Sequence, residues 1–368
     1  SAAALLVEFQ ENSMEELEHR VDNFLSATAI LSLFNAPVFT NDPAEQDFLW
    51  KVRKGLFPAV GAVRASGTTV ILEDVAFPVD KLGDAILDLQ KLFKAYNYFN
   101  AIIFGHAKDG NIHFVVTQAF DTTEEIQRYD AFMREVITLV VEKYDGSLSG
   151  EHGDGRLRGE FIKQMVGEKN YILLKEIKKA WDPNNIFNPN KIVDTPSMNT
   201  MLRYIPGQQT PEFTTHFRFN NQNVLQHAEQ CNGSGDCRKT ALSGGTMCPS
   251  FMATKNEKDT TRARANILRE FLTNSDKLNR FDHKEIYEVM DLCLSCKGCK
   301  SECPNNVDVA KLKAEFMQHY YDVNGTPLRI LLMNYLTTFQ RIGSNFPKIY
   351  NFFITNNYTS SLIKKLMK

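Results

Sequence analysis

No cysteine occurs in the first 230 residues of this 368-residue chain; all seven fall between 231 and 303. An extracellular disulfide scaffold is usually shorter and carries an even count, so that class is disfavoured. No apolar run approaches the roughly 18 residues that suggest a transmembrane helix. No secretory leader opens the chain. Neither sign of charge dominates: 44 acidic against 42 basic residues leave a formal charge of −2. That balance gives no electrostatic reason to expect nucleic acid or an anionic membrane as a partner. There is no initiator methionine, and the abrupt start at SAAALLVEF reads as a fragment or a processed chain. No internal repeat beyond the paired cysteine groups and no low-complexity tract is visible.

What is present is ordinary for a folded protein, with 43% apolar and 23% charged residues. The length exceeds one compact core and predicts two domains. Clustered cysteines without a leader fit metal or cluster chemistry in a reducing compartment. The expected location is cytoplasmic, at most peripheral at a membrane.

Residues 1–195 alternate strand-like and helix-like segments. Residues 3–9 (AALLVEF) predict a short strand, and 13–28 a helix with a Ser-x-x-Glu start. Residues 68–78 (TTVILEDVAFP) predict a strand ending at a proline. Leu82, Ile86, Leu89, Leu92 and Phe93 give 81–97 a helical period. Residues 101–106 and 111–120 predict strands around a turn at Asp109-Gly110-Asn111, and 122–146 a long helix ending at glycine. This order implies an α+β domain with a largely antiparallel sheet. Polar turn residues place a linker at 196–222. From 223 to 368 the reading is all-α, with helices expected at 259–274, 306–322 and 327–343.

The stretch CLSCKGCKSECP is C-x₂-C-x₂-C-x₃-C-P without departure: Cys293, Cys296, Cys299, Cys303 and Pro304. Three close thiolates can wrap one corner of an iron–sulfur cubane, while the fourth cysteine reaches a second cluster. The other group, CNGSGDCRKTALSGGTMCPS, supplies Cys231, Cys237 and Cys248, with Ser234 where a cysteine would stand. Read as partners, Cys293, Cys296, Cys299 and Cys248 hold one [4Fe-4S] cluster. Cys231, Cys237 and Cys303 hold another, with Ser234 at the fourth place. A serine oxygen is a poor iron ligand, so the second site is open to three readings: a [3Fe-4S] cluster, a [4Fe-4S] cluster with a non-cysteine ligand, or a degraded site. Zinc is the competing metal, taking four Cys or His ligands per structural site.

The stretch FGHAKDGNIHF sets His106 before the turn and His113 after it, and SGEHGDGR supplies Glu151 and His152 from a glycine-rich loop. Two histidines and a glutamate suit a divalent metal such as zinc or manganese, with positions open for substrate oxygens. His152 stands beside Glu151 and suits a base for a carbinol proton, a task that favours histidine as a residue type. Arg53, in DFLWKVRKGLF, would clamp a carboxylate if it faced the same pocket. The plainer reading also stands: histidines near turns are often surface groups, and a helical arginine is often a solvated charge.

These residues resemble a known family. Gly105–His113 is similar to the GH-x-x-DGN-x-H of FAD-linked oxidases of the vanillyl-alcohol-oxidase type. In that family Ser149–Gly153 resembles its SGEHG, and Asp182–Lys191 its DPNN-x-x-NP-x-K. The resemblance is to the C-terminal, substrate-side domain of D-lactate, glycolate and D-2-hydroxyglutarate dehydrogenases. Residues 223–310 resemble the α-helical two-cluster ferredoxin domain fused behind it, MCPSF and TRARANILRE included. The resemblance implies a metal held by His106, His113 and Glu151, His152 as the base, Arg53 on the substrate carboxylate, and Asn188 and Lys191 near the flavin. It implies a small 2-hydroxy acid as substrate and FAD held mostly by a half that precedes this chain. Electrons would leave through the clusters to an acceptor, a quinone or a carrier protein. Ser234 departs from the family pattern. So does Val115, where some D-2-hydroxyglutarate enzymes have asparagine, which puts that substrate in doubt. A non-catalytic electron-transfer subunit is the alternative.

Overall fold

The computed structural model describes residues 3–65, 67–202, 204–208, 211–219 and 222–366, the side chains of 57–63 and 366 excepted. Residues 203, 209, 210, 220 and 221 of the expected linker lie outside this set. The chain divides into two compact units, 1–59 and 60–368.

In the first unit the expected helix forms as α1 (Met14–Thr28), where the Ser13 hydroxyl accepts the Glu16 amide at 3.2 Å. A second helix, α2 (Pro43–Val63), opens with proline, whose missing N–H costs nothing at that position. Asp42 Oδ1 accepts the Ala44 amide at 3.0 Å. The strand expected at 3–9 does not form. Leu5 and Leu6 are exposed, and the segment has no ladder partner among the described residues. Its apolar anchor is Phe9, which packs on Phe24 and Phe39 with centroids 5.7 and 5.9 Å away.

The second unit begins with a three-stranded antiparallel sheet, β1 (Thr69–Ala76), β2 (Ile102–His106) and β3 (Asn111–Gln118), in the order β1-β3-β2. Alternation assigns the faces. Ile112, Phe114 and Val116 turn to a core with Leu89 and Phe93 of α3 (Leu82–Ala95) and Phe132 and Val136 of α4 (Thr123–Ile137). Asn111, His113 and Val115 therefore take the opposite face. The register sets His113 between Asp74 of β1 and Phe104 of β2. Gly110 makes the β2–β3 turn possible: its φ is +67°, and a Cβ there would lie 2.0 Å from the Phe77 carbonyl oxygen. The helix expected over 122–146 is α-helical only to Ile137 and continues as a π-helical stretch, Thr138–Lys143. Helix α5 (Ile162–Trp181) follows.

Beyond residue 222 the chain is helical: α6 (Val224–Glu229), α7 (Pro249–Thr254), α8 (Thr261–Asn274), α9 (Lys284–Asp291), α10 (Gly298–Glu302) and α11 (Val309–Asn324). They enclose a separate core around Leu225, Leu268, Leu272, Ile286, Met290, Leu312 and Phe316. The helix expected over 327–343 is two, α12 (Leu328–Asn334) and α13 (Leu336–Gly343), broken where Tyr335 leaves helical backbone (φ −95°, ψ 7°). Two more, α14 (Pro347–Thr355) and α15 (Asn357–Leu366), end the described chain. No described helix is long and apolar enough to cross a membrane.

Candidate metal centre and cluster-binding cysteines

The β2–β3 turn brings His106 and His113 onto one sheet face, with ring centroids 6.2 Å apart. The loop that supplies Glu151 arrives through paired backbone bonds between Ala76 and Ser147, both 2.9 Å. Gly150 then passes so close to Asn111 that a Cβ would lie 1.7 Å from its Nδ2. Glu151 Oε1 ends 2.7 Å from His113 Nε2, 3.9 Å from His106 Nε2 and 3.5 Å from His152 Nε2. One donor atom from each of His106, His113 and Glu151 lies within 4.8 Å of the others. Bonds of about 2.0–2.2 Å to a shared ion set neighbouring ligands roughly 3–4 Å apart, so this donor set fits a divalent metal. His113 is buried, whereas His106, Glu151 and His152 are about half exposed. One side of the site is therefore open to a ligand.

The residue that organises this loop, Asp74, was missed in the sequence. It is 1% exposed. Oδ2 accepts the amides of Glu151 and His152, each at 2.8 Å, and the Ser149 hydroxyl at 3.2 Å. Oδ1 accepts Asn111 Nδ2 at 2.6 Å. Burial alone would raise its pKa, but these donors outweigh burial and hold it at about 2. Oδ1 also stands 3.6 Å from His113 Nδ1, too far for a hydrogen bond but placed as a carboxylate behind a metal-binding imidazole is. His113 Nδ1 is buried without a hydrogen-bond partner among the described residues. A buried pair adds support: Arg158 Nη2 lies 2.9 Å from Glu73 Oε2, and Arg158 Nη1 donates to the Gly153 carbonyl at 3.3 Å. Burial raises the Glu73 carboxyl, and Arg158 opposes that rise. The only early signal for either acid was a Glu-Asp pair inside an apolar strand.

The remaining expected residues are more scattered. Val115 is fully buried, two residues along β3 from His113 and on the same face. Asn188 and Lys191 lie in a loop built by Asp182, whose oxygens accept the amides of Ile186 and Phe187 at 2.8 and 2.9 Å. Neither makes a hydrogen bond or ion pair with the histidine–glutamate group. Their loop does adjoin the glycine-rich one, through the Ile192 amide on the Gly155 carbonyl at 3.3 Å. Arg53 is half-buried on α2 in the first unit.

The two cysteine groups interlock. Glu302, between Cys299 and Cys303, accepts the amides of Thr246 and Met247 at 2.6 and 3.1 Å, the Thr246 hydroxyl at 2.7 Å and Lys239 Nζ at 2.8 Å. This ties the loop leading into Cys248 to α10. Backbone amides point at the sulfurs: Arg262 N lies 3.4 Å from Cys237 Sγ. Burial pushes the Cys299 thiol up to about 11, against the amides of Val309 and Ala310. Cys303 is raised by burial, opposed by the amides of Val307 and Asn305, with the nearby Cys231 adding to the rise. Buried thiols become thiolates when a metal supplies compensating positive charge, so the donor set fits iron–sulfur ligation. Tetrahedral zinc would draw sulfurs to about 3.8 Å of one another. Among the described residues no three cysteines bring Sγ atoms within 4.8 Å. Ser234 is exposed, and its hydroxyl donates to Asp236 Oδ2 at 2.7 Å. Arg264, also missed in the sequence, is 1% exposed. Its Nη1 lies 3.6 Å from Cys248 Sγ and donates to Ser250 Oγ at 2.9 Å, while Nη2, 3.6 Å from Asp259 Oδ1, has no hydrogen-bond partner among the described residues.

Comparison with known proteins follows this division. Residues 230–308 match the "4Fe-4S dicluster domain". The D-2-hydroxyglutarate dehydrogenase of Escherichia coli (strain K12) is 26% identical over 356 residues, covering 86% of this chain and 34% of the relative. The Pseudomonas putida (strain KT2440) protein of the same name is 29% identical over 330 residues, covering 79% and 32%. The D-lactate dehydrogenase of Anaerostipes hadrus is 31% identical over 194 residues, covering 52% and 39%. The chain thus spans about a third of the length of the first two. Residues 1–192, more than half of the chain, match "FAD linked oxidases, C-terminal domain", and the chain belongs to that family.

Proposed function

We propose that this chain is the substrate-side and electron-exit part of an FAD-dependent D-2-hydroxyacid dehydrogenase. The observation that carries this is the convergence of His106, His113 and Glu151 on one open sheet face, with His152 beside them. Residues 1–195 form the substrate domain, 196–222 the linker and 223–368 the two-cluster ferredoxin-like domain with its C-terminal helices. FAD is held mostly by a segment outside this chain, and Asn188 and Lys191 border it. The relatives' names point to D-2-hydroxyglutarate or D-lactate as the kind of substrate. A quinone or a carrier protein is the final acceptor.

His106, His113 and Glu151 would hold a zinc or manganese ion, which would supply Lewis-acid polarisation of the substrate's oxygens, and the flavin would supply the hydride acceptor. Arg53 pairs with the substrate carboxylate. His152 receives the hydroxyl proton at Nε2, so the carbinol loses a hydride and a proton and leaves as a 2-oxo acid. Asp74 holds the amides of Glu151 and His152 and so fixes the distance between base and metal ligand. Cys248, Cys293, Cys296 and Cys299 would hold a [4Fe-4S] cluster and supply a one-electron carrier. Cys231, Cys237 and Cys303, with Ser234 at the fourth place, would hold a second cluster, a [3Fe-4S] or a [4Fe-4S] with a non-cysteine ligand.

The test joins this chain to an FAD-binding half of the same enzyme and measures D-lactate, glycolate and D-2-hydroxyglutarate oxidation. His106→Ala should lose metal and most turnover. His152→Ala should keep the metal while slowing flavin reduction. Equal metal loss in both variants would defeat this division of roles.

A further inference from the structure

A second group of ligand-type side chains lies away from the sheet, where residues 211–217 cross α11. Glu315 on α11 is completely buried and accepts the backbone amides of His216 and Phe217, both at 2.9 Å. Those two bonds fix the crossing segment and set the His216 ring beside that of His319, one turn further along the helix, with centroids 4.9 Å apart. His319 shares a face with Glu315 through its i,i+4 spacing, and its Nε2 lies 2.9 Å from Glu315 Oε1. Phe281 stacks flat on the same imidazole, 4.1 Å away with planes at 13°. Asp322 follows three residues later, with Oδ2 3.3 Å from His216 Nε2. One donor atom from each of His216, His319 and Asp322 falls within 4.8 Å of the other two.

We propose that His216, His319 and Asp322 form a second divalent-metal site, of the zinc class, which staples residues 211–217 to α11. Three features favour this over a chance surface pair. His216 and Asp322 are about half exposed, so as an ion pair alone they contribute little. The third member is held rigidly, since His319 is clamped between a buried carboxylate and an aromatic ring. A carboxylate behind an imidazole is also the arrangement that orients histidines at metal sites. Two imidazoles and one carboxylate select zinc, cobalt or nickel over magnesium or calcium, which take oxygen ligands. Three protein ligands leave a position for water, and the half-exposed edge gives the ion an entry path. The site is independent of the histidine–glutamate group on the sheet and of the cysteines.

The experiment uses the full chain, with its cysteines either filled by clusters or alkylated, in a His106→Ala/Glu151→Ala background that removes the sheet site. Cobalt(II) and zinc(II) are added, and bound metal is measured after dialysis. One equivalent should remain bound, and cobalt should give visible bands of a nitrogen–oxygen site. Adding His216→Ala or Asp322→Ala should weaken binding at least tenfold. Both positions are half exposed, so far-UV circular dichroism should not change. Glu315→Gln should also weaken binding, and less than loss of a ligand does. The proposal is overturned if the background chain retains no metal, or if His216→Ala and Asp322→Ala leave the bound equivalent in place.

Discussion

Replacing Asp74 by alanine removes the acceptor for four donors at once. These are the amides of Glu151 and His152, the Ser149 hydroxyl and Asn111 Nδ2. Hydrogen bonds to a charged group contribute about 1.5–3 kcal/mol each, and partners left without an acceptor add a desolvation cost. The four share one carboxylate and are not additive, so a loss of about 3–5 kcal/mol is expected. Asp74→Asn is the informative control. Asn111 Oδ1 is buried and has no hydrogen-bond partner among the described residues, so Asn111 can turn its amide and accept from the new side-chain NH₂. The remaining oxygen can still serve the two backbone amides, and the expected loss falls to about 1–2 kcal/mol. Urea unfolding read by circular dichroism measures both variants. Metal content provides a second reading: the alanine variant should bind zinc or manganese about 10–100-fold more weakly, because the loop bearing Glu151 is no longer held. Unchanged metal affinity and an unchanged unfolding midpoint in Asp74→Ala would refute the account. An asparagine variant as damaged as the alanine one would show that charge, rather than hydrogen-bond acceptance, holds the loop.

Three shorter predictions follow from other parts of the chain. Arg264→Met should lower the potential of the cluster held through Cys248: a charge 3.6 Å from Sγ is worth up to about 4.6 kcal/mol at an effective dielectric of 20. Spreading of the electron over the cluster reduces this to roughly 2 kcal/mol, about 90 mV in an EPR-monitored titration, and no shift would mean that Asp259 already cancels the charge. Ser234→Cys should convert the oxidised three-iron EPR signal of anaerobic protein into that of a second four-iron cluster on reduction, whereas an unchanged spectrum would count against the assignment of that site. Hydrogen bonds from Lys143, Lys91 and Tyr144 hold the Asp88 carboxyl below its ordinary value, so its stabilisation is present above about pH 4 and is lost as pH falls further. Asp88→Asn should therefore unfold more easily at pH 7 and lose that part of the acid sensitivity, as thermal melts at pH 7 and pH 3 would show.

The parts legible in the sequence are those set by near neighbours. Alternation in residues 111–118 and the obligatory Gly110 fix the hairpin, and the hairpin brings two histidines to one face. The run from Cys293 to Pro304 declares itself by spacing alone. Partners from distant segments were not legible. Asp74 sits 75 or more residues from the loop it holds, and Glu302 reaches back to Thr246. Arg264 reads as one cation on an amphipathic helix until burial removes it from water. Local pattern also misled in two places. Residues 3–9 have strand-like composition, but Phe9 is used for aromatic packing and no strand lies alongside among the described residues. The period over 327–343 runs unbroken through Tyr335, where no proline or glycine marks the break.

Arg64 and Tyr204 link the sheet to the helical core at the end of α6. Arg64 stands just before β1, with Nε 3.1 Å from the Thr68 carbonyl. Its guanidinium also donates to the carbonyls of Glu229 and Gln230, at the end of α6. A cation on the last carbonyls of a helix is favourable. Tyr204, packed against the sheet core, donates its hydroxyl to Glu229 Oε1 at 2.7 Å. The next residues are Gln230 and Cys231. The residues just before Cys231 are thus tied to the sheet through Arg64 and Tyr204. Cys293 is held instead from α11, where Lys313 Nζ donates to its carbonyl at 2.6 Å. Cys231 is therefore joined to the sheet through Glu229 and Gln230, the two residues that precede it in the chain.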